Sequence, residues 1–455
     1  MIGSVLYEQM YRLKTAHTSK DVVCRNDMQT ASRVILHVDL NCFYAQAECF
    51  RRPEIRSSPV VVGGDEEARH GIVLAKNEIA KALGIKTGQT LWEARQKSSD
   101  LVVVRADLAH YQKIAKMARD IYYDYTHQVE PFGLDECWLD VTGTAHLYGG
   151  LEHAGQLIAE EISERTKSEL GMSVSIGVSW NKIFAKFGSD FKKPDAITYV
   201  TPANYQDIVW NSPARELLYV GPATEKKLYK SGILTIGDIA ECTPRRMKNM
   251  LGKMGEVIHV FALGLDTSPV AEMCERERDV SYGIKSIGNS LTSPFDVVTP
   301  EDAKALIYML SQSVAHRMRE SKLKAKTVTL SVRHSDLSRY TTQRKLLVPS
   351  FLTSEIADCA YSLLIEREDF VRRTVLRSLG VRGSDLVSMW QPSQSTFLAP
   401  EHKRIAAEKL EYDIDDLRRR FGNKVVVRGC ELYGAGTLGR DIKRDNTVHP
   451  VSFFA

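Results

Sequence analysis

Three acidic residues occupy positions at which proteins commonly bind catalytic metal ions. Asp39 ends an apolar run, and Asp135 and Glu136 share a turn between two further apolar runs. Two divalent cations about 3.5–4 Å apart need several carboxylate oxygens, and such a pair can activate a hydroxyl while neutralising a leaving phosphate. The three acids therefore indicate nucleotidyl transfer. Acids at strand ends also simply solvate turns, so the residues alone leave that interpretation open.

The hydrophobic pattern predicts the elements that must position these acids. The run RVILHV from Arg33 predicts a strand that ends at Asp39, and helix-forming residues follow it. The segment QVEPFGLDECWLDV predicts two short strands joined by a Gly-Leu-Asp-Glu turn. Helical patterns dominate 201–275, and strands with intervening helices return over 279–388. The sequence predicts an α+β protein with about three domains.

Composition bounds the class of protein. The 455 residues have a formal net charge of +4, with 43% hydrophobic and 26% charged residues, which is ordinary for a folded globular chain. Eight cysteines are scattered without a C-x-x-C pair, so we expect buried thiols in a reducing cytosol and no zinc site. Neither a signal peptide nor an apolar stretch of roughly 20 residues is present, so we expect a cytoplasmic protein without a membrane segment.

The segments around the acids carry a family resemblance. HVDLNCFYAQAE and GLDECWLDVTG resemble the two acidic motifs of the Y-family DNA polymerases, and the match continues in order through KNEIAKALGIKTG and WNKIFAKFGSDFKKP. The features are similar to those of bacterial DNA polymerase IV-like proteins of the DinB/UmuC type. The resemblance implies error-tolerant, template-directed synthesis in translesion synthesis and DNA repair. It also implies two Mg²⁺ ions, with Mn²⁺ as a substitute, held by Asp39, Asp135, Glu136 and the Leu40 carbonyl.

The same resemblance implies a right-hand architecture that joins an α+β polymerase core to a C-terminal α/β little finger. We expect a monomer that binds primer–template DNA, an incoming dNTP and a sliding clamp. The implied parts are an N-terminal extension (1–30), a palm (31–43 and 106–200), fingers (44–105), a helical thumb (201–275), a linker and little finger (276–388) and a tail (389–455).

The resemblance also assigns residues around the nucleotide. Tyr44 would be a steric gate that leaves no room for a 2′-hydroxyl, and Phe43 would support the sugar and base. Lysines suit the triphosphate because charge builds on its oxygens during transfer. The implied nucleotide contacts are Phe43, Tyr44, Ile72, Lys76, Lys81 and Lys193. Glu78 and Ala75 depart from the residues usual in relatives, which places those triphosphate contacts in doubt. Without the family, each lysine is an ordinary surface charge.

A local cluster of basic residues, which the small net charge of the whole chain does not reveal, predicts the DNA contacts. The stretch 317–345 holds nine cations against two acids, and its strands can direct alternate cations along a phosphate backbone. YVGPATEKKL resembles a helix-hairpin-helix, although Ala223 replaces its second glycine. We expect DNA contacts from Gly221, Lys322, Lys324, Lys326, Arg333 and Arg344. The peptide QSTFLAP is an imperfect match to a clamp-binding peptide, through Gln394, Phe397 and Leu398, and a plain linker is the alternative.

Two other functions are weighed against this prediction. Gly63, Gly64, Asp65 and Glu66 spell GGDE, which is typical of nucleotide cyclases, but the surrounding residues do not continue that motif. A DNA-binding scaffold without turnover is the second alternative. The intact acids argue against it, because uncompensated carboxylates near DNA phosphates would weaken binding unless metals were present.

Overall fold

The computed structural model describes residues 33–64, 71–271, 284–370, 375–391, 401–423 and 425–432. The strands are β1 (Ile35–Leu40), β2 (Val60–Gly63), β3 (Val73–Lys76), β4 (Val102–Arg105), β5 (Val129–Pro131), β6 (Glu136–Asp140), β7 (Val174–Ser179), β8 (Ile197–Tyr199), β9 (Ser286–Val297), β10 (Leu323–His334), β11 (Arg339–Ser350) and β12 (Leu376–Ser388). The helices are α1 (Phe43–Arg51), α2 (Glu78–Ala82), α3 (Leu91–Lys97), α4 (Leu108–Tyr123), α5 (Leu151–Leu170), α6 (Lys182–Phe191), α7 (Pro222–Lys230), α8 (Ile236–Glu241), α9 (Pro244–Leu251), α10 (Lys253–Ala262), α11 (Pro300–Glu320), α12 (Thr353–Ile365) and α13 (Glu401–Phe421).

Two predictions fall outside these residues. They are the N-terminal extension (1–30) and the clamp peptide at Gln394, Phe397 and Leu398. The domain boundaries stay predictions as well. Among the described helices, none combines the length and the apolar character that crossing a membrane requires.

A five-stranded sheet in the order β5-β6-β1-β7-β8 forms the first unit. Its central strand β1 pairs antiparallel with β6 and with β7, and all six of its residues are buried. One face of the sheet carries apolar residues such as Val38 and Ile176 and is covered by α4 and α5. The opposite face carries His37 and Asp39 and is covered by α6. The alternation along β1 therefore places the main apolar core on one face and His37 and Asp39 on the other, where Ile35 packs with Trp138 and Ala185.

A smaller sheet in the order β3-β2-β4 lies within the range predicted for the fingers. β2 pairs antiparallel with β3 and parallel with β4, and α2 and α3 complete the unit. Its core is small and contains Val61, Val73, Ala80, Ile85, Leu91, Ala94 and Leu101. The helices α7 to α10 form a separate apolar cluster with Trp180, Phe184 and Phe187 from the α6 region. The helices α7 to α10 lie within the range predicted for the thumb.

A four-stranded sheet in the order β11-β10-β12-β9 forms the C-terminal unit. α11 and α12 pack on one face, over a core that includes Val328 and Leu330. α13 lies against this unit through buried ion pairs, because Arg319 contacts Asp415 at 2.7 Å and Glu411 at 3.1 Å. Sheets and helices of this kind agree with the predicted α+β class.

Candidate active site

The predicted acids meet at the end of the central strand. Asp39 is the cross-strand neighbour of Glu136, which is the first residue of β6 and not a turn residue as the sequence suggested. The Leu40 backbone N–H donates to the Asp135 carbonyl oxygen at 2.9 Å, which fixes the register of the turn. The structure therefore brings Asp39, Asp135 and Glu136 together, as the sequence predicted. Their roles, and that of the Leu40 carbonyl, as metal ligands stay predictions.

Two lysines from the α6 region sit among these acids. Lys186 Nζ lies 3.2 Å from Asp39 Oδ2 and 2.6 Å from Glu136 Oε2. Lys193 Nζ lies 2.8 Å from the same oxygen of Asp39. Asp190 joins the two lysines, at 3.1 Å from Lys186 and 2.8 Å from Lys193. Lys193 was predicted, whereas Lys186 and Asp190 were missed. Their spacing, four residues apart on one helix face beside FKKP, was the available signal.

Burial leaves the acid cluster short of positive charge. Burial first, and the Asp39 carboxylate second, raise the pKa of Asp135 to about 6. Burial also raises the pKa of Glu136 to about 7, although Lys186 opposes the shift. Burial works to lower the pKa of Lys186, but the surrounding carboxylates raise it overall, so this ammonium group stays charged. A cluster of this kind can accept additional cations.

His37 is a further member of the site that the sequence did not reveal. Ligand atoms of His37, Asp39 and Glu136 lie within 4.8 Å of one another, so this part of the described chain could hold a metal ion. His37 is fully buried, and burial together with Lys186 lowers its pKa well below the usual value. Its Nδ1 lies 2.8 Å from Ser189 Oγ. The residue is hidden inside the apolar run RVILHV, where a histidine normally only fills a core.

The position of the two lysines depends on a glycine in β7. An ideal Cβ on Gly177 would lie 1.9 Å from the Ala185 carbonyl oxygen and 2.5 Å from the Ser189 backbone nitrogen, both in α6. The helix therefore rests backbone to backbone on the sheet, which only glycine permits. This close approach carries Lys186 to within hydrogen-bonding distance of Glu136.

An aromatic cluster lies beside the acids. The Tyr44 ring stacks on Tyr111 with centroids 4.4 Å apart and planes at 13°, and Phe43 contacts both rings. Burial raises the pKa of Tyr44, and the Asp135 carboxylate adds to the shift. The Tyr44 hydroxyl is therefore close enough to the acid cluster to be influenced by its charge. Its role as a steric gate stays a prediction.

The predicted finger contacts are more open. Ile72 is 42% exposed, forms an isolated antiparallel bridge with Thr90, and accepts a hydrogen bond from the Gly64 backbone N–H at 3.3 Å. Lys76 Nζ donates to Thr87 Oγ1 at 3.1 Å. Lys81 pairs at 3.2 Å with Glu78, the residue that departs from the family pattern. The Lys81 charge is thus balanced by a carboxylate in this structure.

Glu78 also receives a hydrogen bond from the palm side of the site. The Cys42 thiol donates to Glu78 Oε1 at 3.1 Å, and burial followed by this contact raises the pKa of Cys42 to about 12. Ala75, the other departure from the family pattern, pairs with Val62 in the finger sheet and offers no hydroxyl.

Comparison with known proteins identifies the family. Residues 38–190 match the impB/mucB/samB family, and residues 284–396 match the C-terminal domain of that family. DNA polymerase IV of Acetivibrio thermocellus is 47% identical over 404 residues, which are 89% of this chain and 98% of that protein. This chain belongs to the DNA polymerase IV family.

Other DNA polymerase IV proteins and a solved structure agree with this assignment. DNA polymerase IV 1 of Bacillus subtilis strain 168 is 31% identical over 405 residues, which are 89% of this chain and 94% of that protein. The solved Y-family DNA polymerase chimera Dbh-Dpo4(243-245)-Dbh matches with a TM-score of 0.67 and 22% identity, covering 78% of this chain and 99% of that one. The likeness confirms the predicted right-hand α+β fold.

In this member of the DNA polymerase IV family, the predicted DNA-contacting cations fall into two groups. Lys322, Lys326 and Arg333 are exposed. Lys324 instead pairs with Glu408 of α13 at 3.0 Å. Arg344 lies on the helix side of the sheet, opposite Val328, and pairs at 2.6 Å with Glu366, the residue that follows α12. These five residues stay predictions as DNA contacts, but two of them already have acidic partners.

The open face of the C-terminal sheet has a consistent chemistry. Its positions follow from the cross-strand register, which places them opposite the core residues. They are Ser286, Gly288, Ser290, Thr292, Thr327, Thr329, Ser331, Arg333, Arg339, Thr341, Gln343, Lys345, Ser378, Gly380, Arg382 and Ser384. These side chains are small, hydroxyl-bearing, amide-bearing or cationic; none of them is acidic, but Thr327 donates a hydrogen bond to the neighbouring Asp385 carboxylate at 2.5 Å. Arg382 was missed because the basic run that attracted attention ends at 345.

Gly221 lies where the helix-hairpin-helix resemblance placed it. It precedes α7, whose first residue is Pro222, and its surroundings are open because no atom lies within 4 Å of an ideal Cβ. A backbone N–H at an exposed helix start is suited to a phosphate. The phosphate contact itself stays a prediction.

Proposed function

We propose that this chain is a template-directed DNA polymerase that adds dNTPs to a primer 3′-hydroxyl with low fidelity, in translesion synthesis and DNA repair. The observation that carries the proposal is the cluster of Asp39 and Glu136 at the end of the central strand, beside Lys186 and Lys193. In a chain of the DNA polymerase IV family, such acids suit metal ions and such cations suit a triphosphate.

The donor atoms fit a hard divalent ion. Carboxylates are the ligands that Mg²⁺ and Mn²⁺ prefer, and the raised pKa values of Asp135 and Glu136 indicate a cluster that needs more positive charge. Two Mg²⁺ ions, held by Asp39, Asp135, Glu136 and the Leu40 carbonyl, would activate the primer hydroxyl and neutralise the phosphates. His37 supplies a neutral nitrogen behind these oxygens, which suits a supporting role more than Mg²⁺ ligation.

The lysines partly neutralise the acids until substrate arrives. Lys186 contacts Asp39 and Glu136, and Lys193 contacts Asp39, so both ammonium groups already lie where phosphate oxygens would approach. We assign Lys193 to the triphosphate, as predicted, and add Lys186 as a second cation of the site. Lys76 and Lys81 in the fingers provide further positive charge, with Lys81 partly offset by its pairing with an acid.

The aromatic residues select the sugar. Tyr44 forms the wall that excludes a 2′-hydroxyl, and Phe43 packs beside it. Ile72, exposed at the edge of the finger sheet, covers the nascent base pair. Rejection by collision is a repulsive device, so it acts on the ribonucleotide and leaves the deoxyribonucleotide in place.

Duplex DNA occupies the open face of the C-terminal sheet. The cations there, with Lys322 and Lys326 at its border and Gly221 in the thumb, hold phosphates without reading bases. Lys324 and Arg344 contribute less because each is paired with an acid. A sliding clamp bound through Gln394, Phe397 and Leu398, a monomeric state and a cytoplasmic location complete the proposal.

Primer extension on normal and damaged templates, with Mg²⁺ or Mn²⁺, tests the proposal. The wild-type chain should extend primers with dNTPs, and Glu136→Ala should abolish extension while primer–template binding stays within about twofold, since phosphate contacts supply most of the affinity. The control Glu152→Ala changes an exposed acid of α5, on the other side of the sheet, and should retain extension. Extension by Glu136→Ala at the wild-type rate would contradict the proposal.

A further inference from the structure

The ring of Tyr44 is supported from behind by a second tyrosine. Tyr111 of α4 lies parallel to it, with centroids 4.4 Å apart and planes at 13°, and is fully buried. Tyr44 itself is only partly buried, and burial, with a further contribution from the Asp135 carboxylate, raises its pKa. Because the two rings are stacked, Tyr44 cannot move toward Tyr111 unless Tyr111 also moves.

A buried carboxylate fixes Tyr111 in turn. The Tyr111 hydroxyl donates to Glu48 Oε1 at 2.9 Å, and Glu48 is fully buried. Burial raises the pKa of Tyr111, so the hydroxyl keeps its proton and remains a donor. A hydrogen bond to a charged acceptor inside the protein is among the stronger and more directional contacts.

Arg51 holds the Glu48 carboxylate and also connects α1 to the start of α4. Arg51 donates to Glu48 Oε1 at 3.1 Å and to Oε2 at 2.9 Å, and it also donates to Asp107 at 3.0 Å. Asp107 caps the start of α4, one turn before Tyr111, while Tyr44 and Glu48 lie one turn apart on α1. The contacts Tyr44–Tyr111, Tyr111–Glu48, Glu48–Arg51 and Arg51–Asp107 form a closed network between α1 and α4.

We propose that Tyr111 and Glu48 are positioning residues for sugar discrimination, which hold Tyr44 rigid against a 2′-hydroxyl. The inference rests on the proposed function, in which Tyr44 is the wall that the ribose meets. Rejection by collision requires stiffness, because a ring that yields by a few tenths of an ångström gives up much of the repulsion. Tyr111, Glu48, Arg51 and Asp107 supply that stiffness without touching the substrate.

The central test is Tyr111→Phe, which removes the hydroxyl and keeps the stacked ring. Single-nucleotide insertion gives kcat/KM for a matched dNTP and the corresponding rNTP. The ratio of the two should fall by about three- to tenfold, the range expected for one lost hydrogen bond, mainly through faster rNTP insertion. The control Tyr125→Phe removes the hydroxyl of another buried tyrosine in the same core, facing Arg165, and should leave the ratio unchanged.

A second variant tests the carboxylate. Glu48→Gln keeps an acceptor for Tyr111 but weakens the pairing with Arg51, so the ratio should fall again. Because both changes act through one contact, the double variant should lower the ratio by less than the product of the single effects. Thermal unfolding of each variant identifies any general loss of structure, which would reduce dNTP and rNTP insertion together.

The outcomes separate this inference from the proposed function. Absence of primer extension by the wild-type chain would remove the proposed function itself. A chain that extends primers, in which Tyr44→Ala lowers the ratio but Tyr111→Phe leaves it unchanged or lowers both efficiencies equally, would overturn the inference alone. A fall in the ratio for Tyr111→Phe, together with a non-multiplicative double variant, supports it.

Discussion

Lowering the pH should weaken divalent metal binding by an amount that the site predicts. The metal-free carboxyls of Glu136 and Asp135 have pKa values raised to about 7 and about 6, mainly by burial. A metal must displace any proton that these groups carry. At pH 6 Glu136 is about nine-tenths protonated and Asp135 about half. Protonation of Glu136 therefore weakens the apparent metal affinity by about tenfold, and protonation of Asp135 weakens it by about twofold.

The expected change is therefore about 20-fold between pH 8 and pH 6. Mn²⁺ binding to the chain without DNA, followed by the electron paramagnetic resonance signal of free Mn²⁺ at constant ionic strength, measures it directly. The same shifts add stability to the metal-free fold at low pH, and that contribution is lost as the pH rises through about 6 and about 7. Mn²⁺ should accordingly raise the unfolding temperature more at pH 8 than at pH 6.

Carboxyls with ordinary pKa values near 4 would be ionised at both pH values and would give almost no change. An affinity that differs by less than about twofold would thus refute the argument from burial. The variant Glu152→Gln, altered at an exposed carboxylate of α5, should keep the full pH dependence. A weaker dependence in that variant would mean that the protons are displaced somewhere else.

Four further changes have expected outcomes. Asp39→Ala should abolish primer extension but keep primer–template binding, and gel-based extension with an anisotropy assay would reveal either failure. Tyr44→Ala should lower the dNTP to rNTP ratio of kcat/KM, and equal losses for both nucleotides would make it only a structural aromatic. Replacing Arg333 and Arg339 by serine should reduce the slope of log affinity against log salt by up to about two, and an unchanged slope would place the DNA elsewhere. Arg319→Met should destabilise the fold by about 3–5 kcal/mol in chemical unfolding, because it removes the buried cation that Asp415 and Glu411 share and leaves them their contacts with His316 and Arg428, and a change below about 1 kcal/mol would contradict that reasoning.

Sequence reasoning succeeded where the signal is local. An acid at the end of an apolar run located Asp39, and the Asp-Glu turn located its neighbours, because strand alternation and short-range order place them. The fold class followed from the same patterns. The motif resemblance then supplied the right-hand architecture, which the solved structural relative confirms.

It failed where a side chain's partner lies far along the chain. Arg319 belongs to the basic run expected to contact DNA, yet it is buried against acids of α13 that lie about 90 residues later. Lys186 looks like an ordinary helix charge until α6 is docked on the sheet. Arg382 reaches the open face only through the register of β12 with β10. Such long-range pairings are decided by packing, which composition and periodicity do not encode.

Gly177 has a consequence for how the site can evolve. Because backbone atoms of α6 lie directly against Gly177, the contact between helix and sheet has no room for a side chain at that position. Substitutions can exchange Lys186 for another residue, but any side chain at position 177 would lift the helix and carry both lysines away from the acids together. The distances from Lys186 and Lys193 to the acids are therefore expected to change together or not at all. Nucleotide affinity can instead change gradually through substitutions in the fingers. Lys81 and its partner Glu78 are exposed there, so replacing them disturbs no packed contact between helix and sheet.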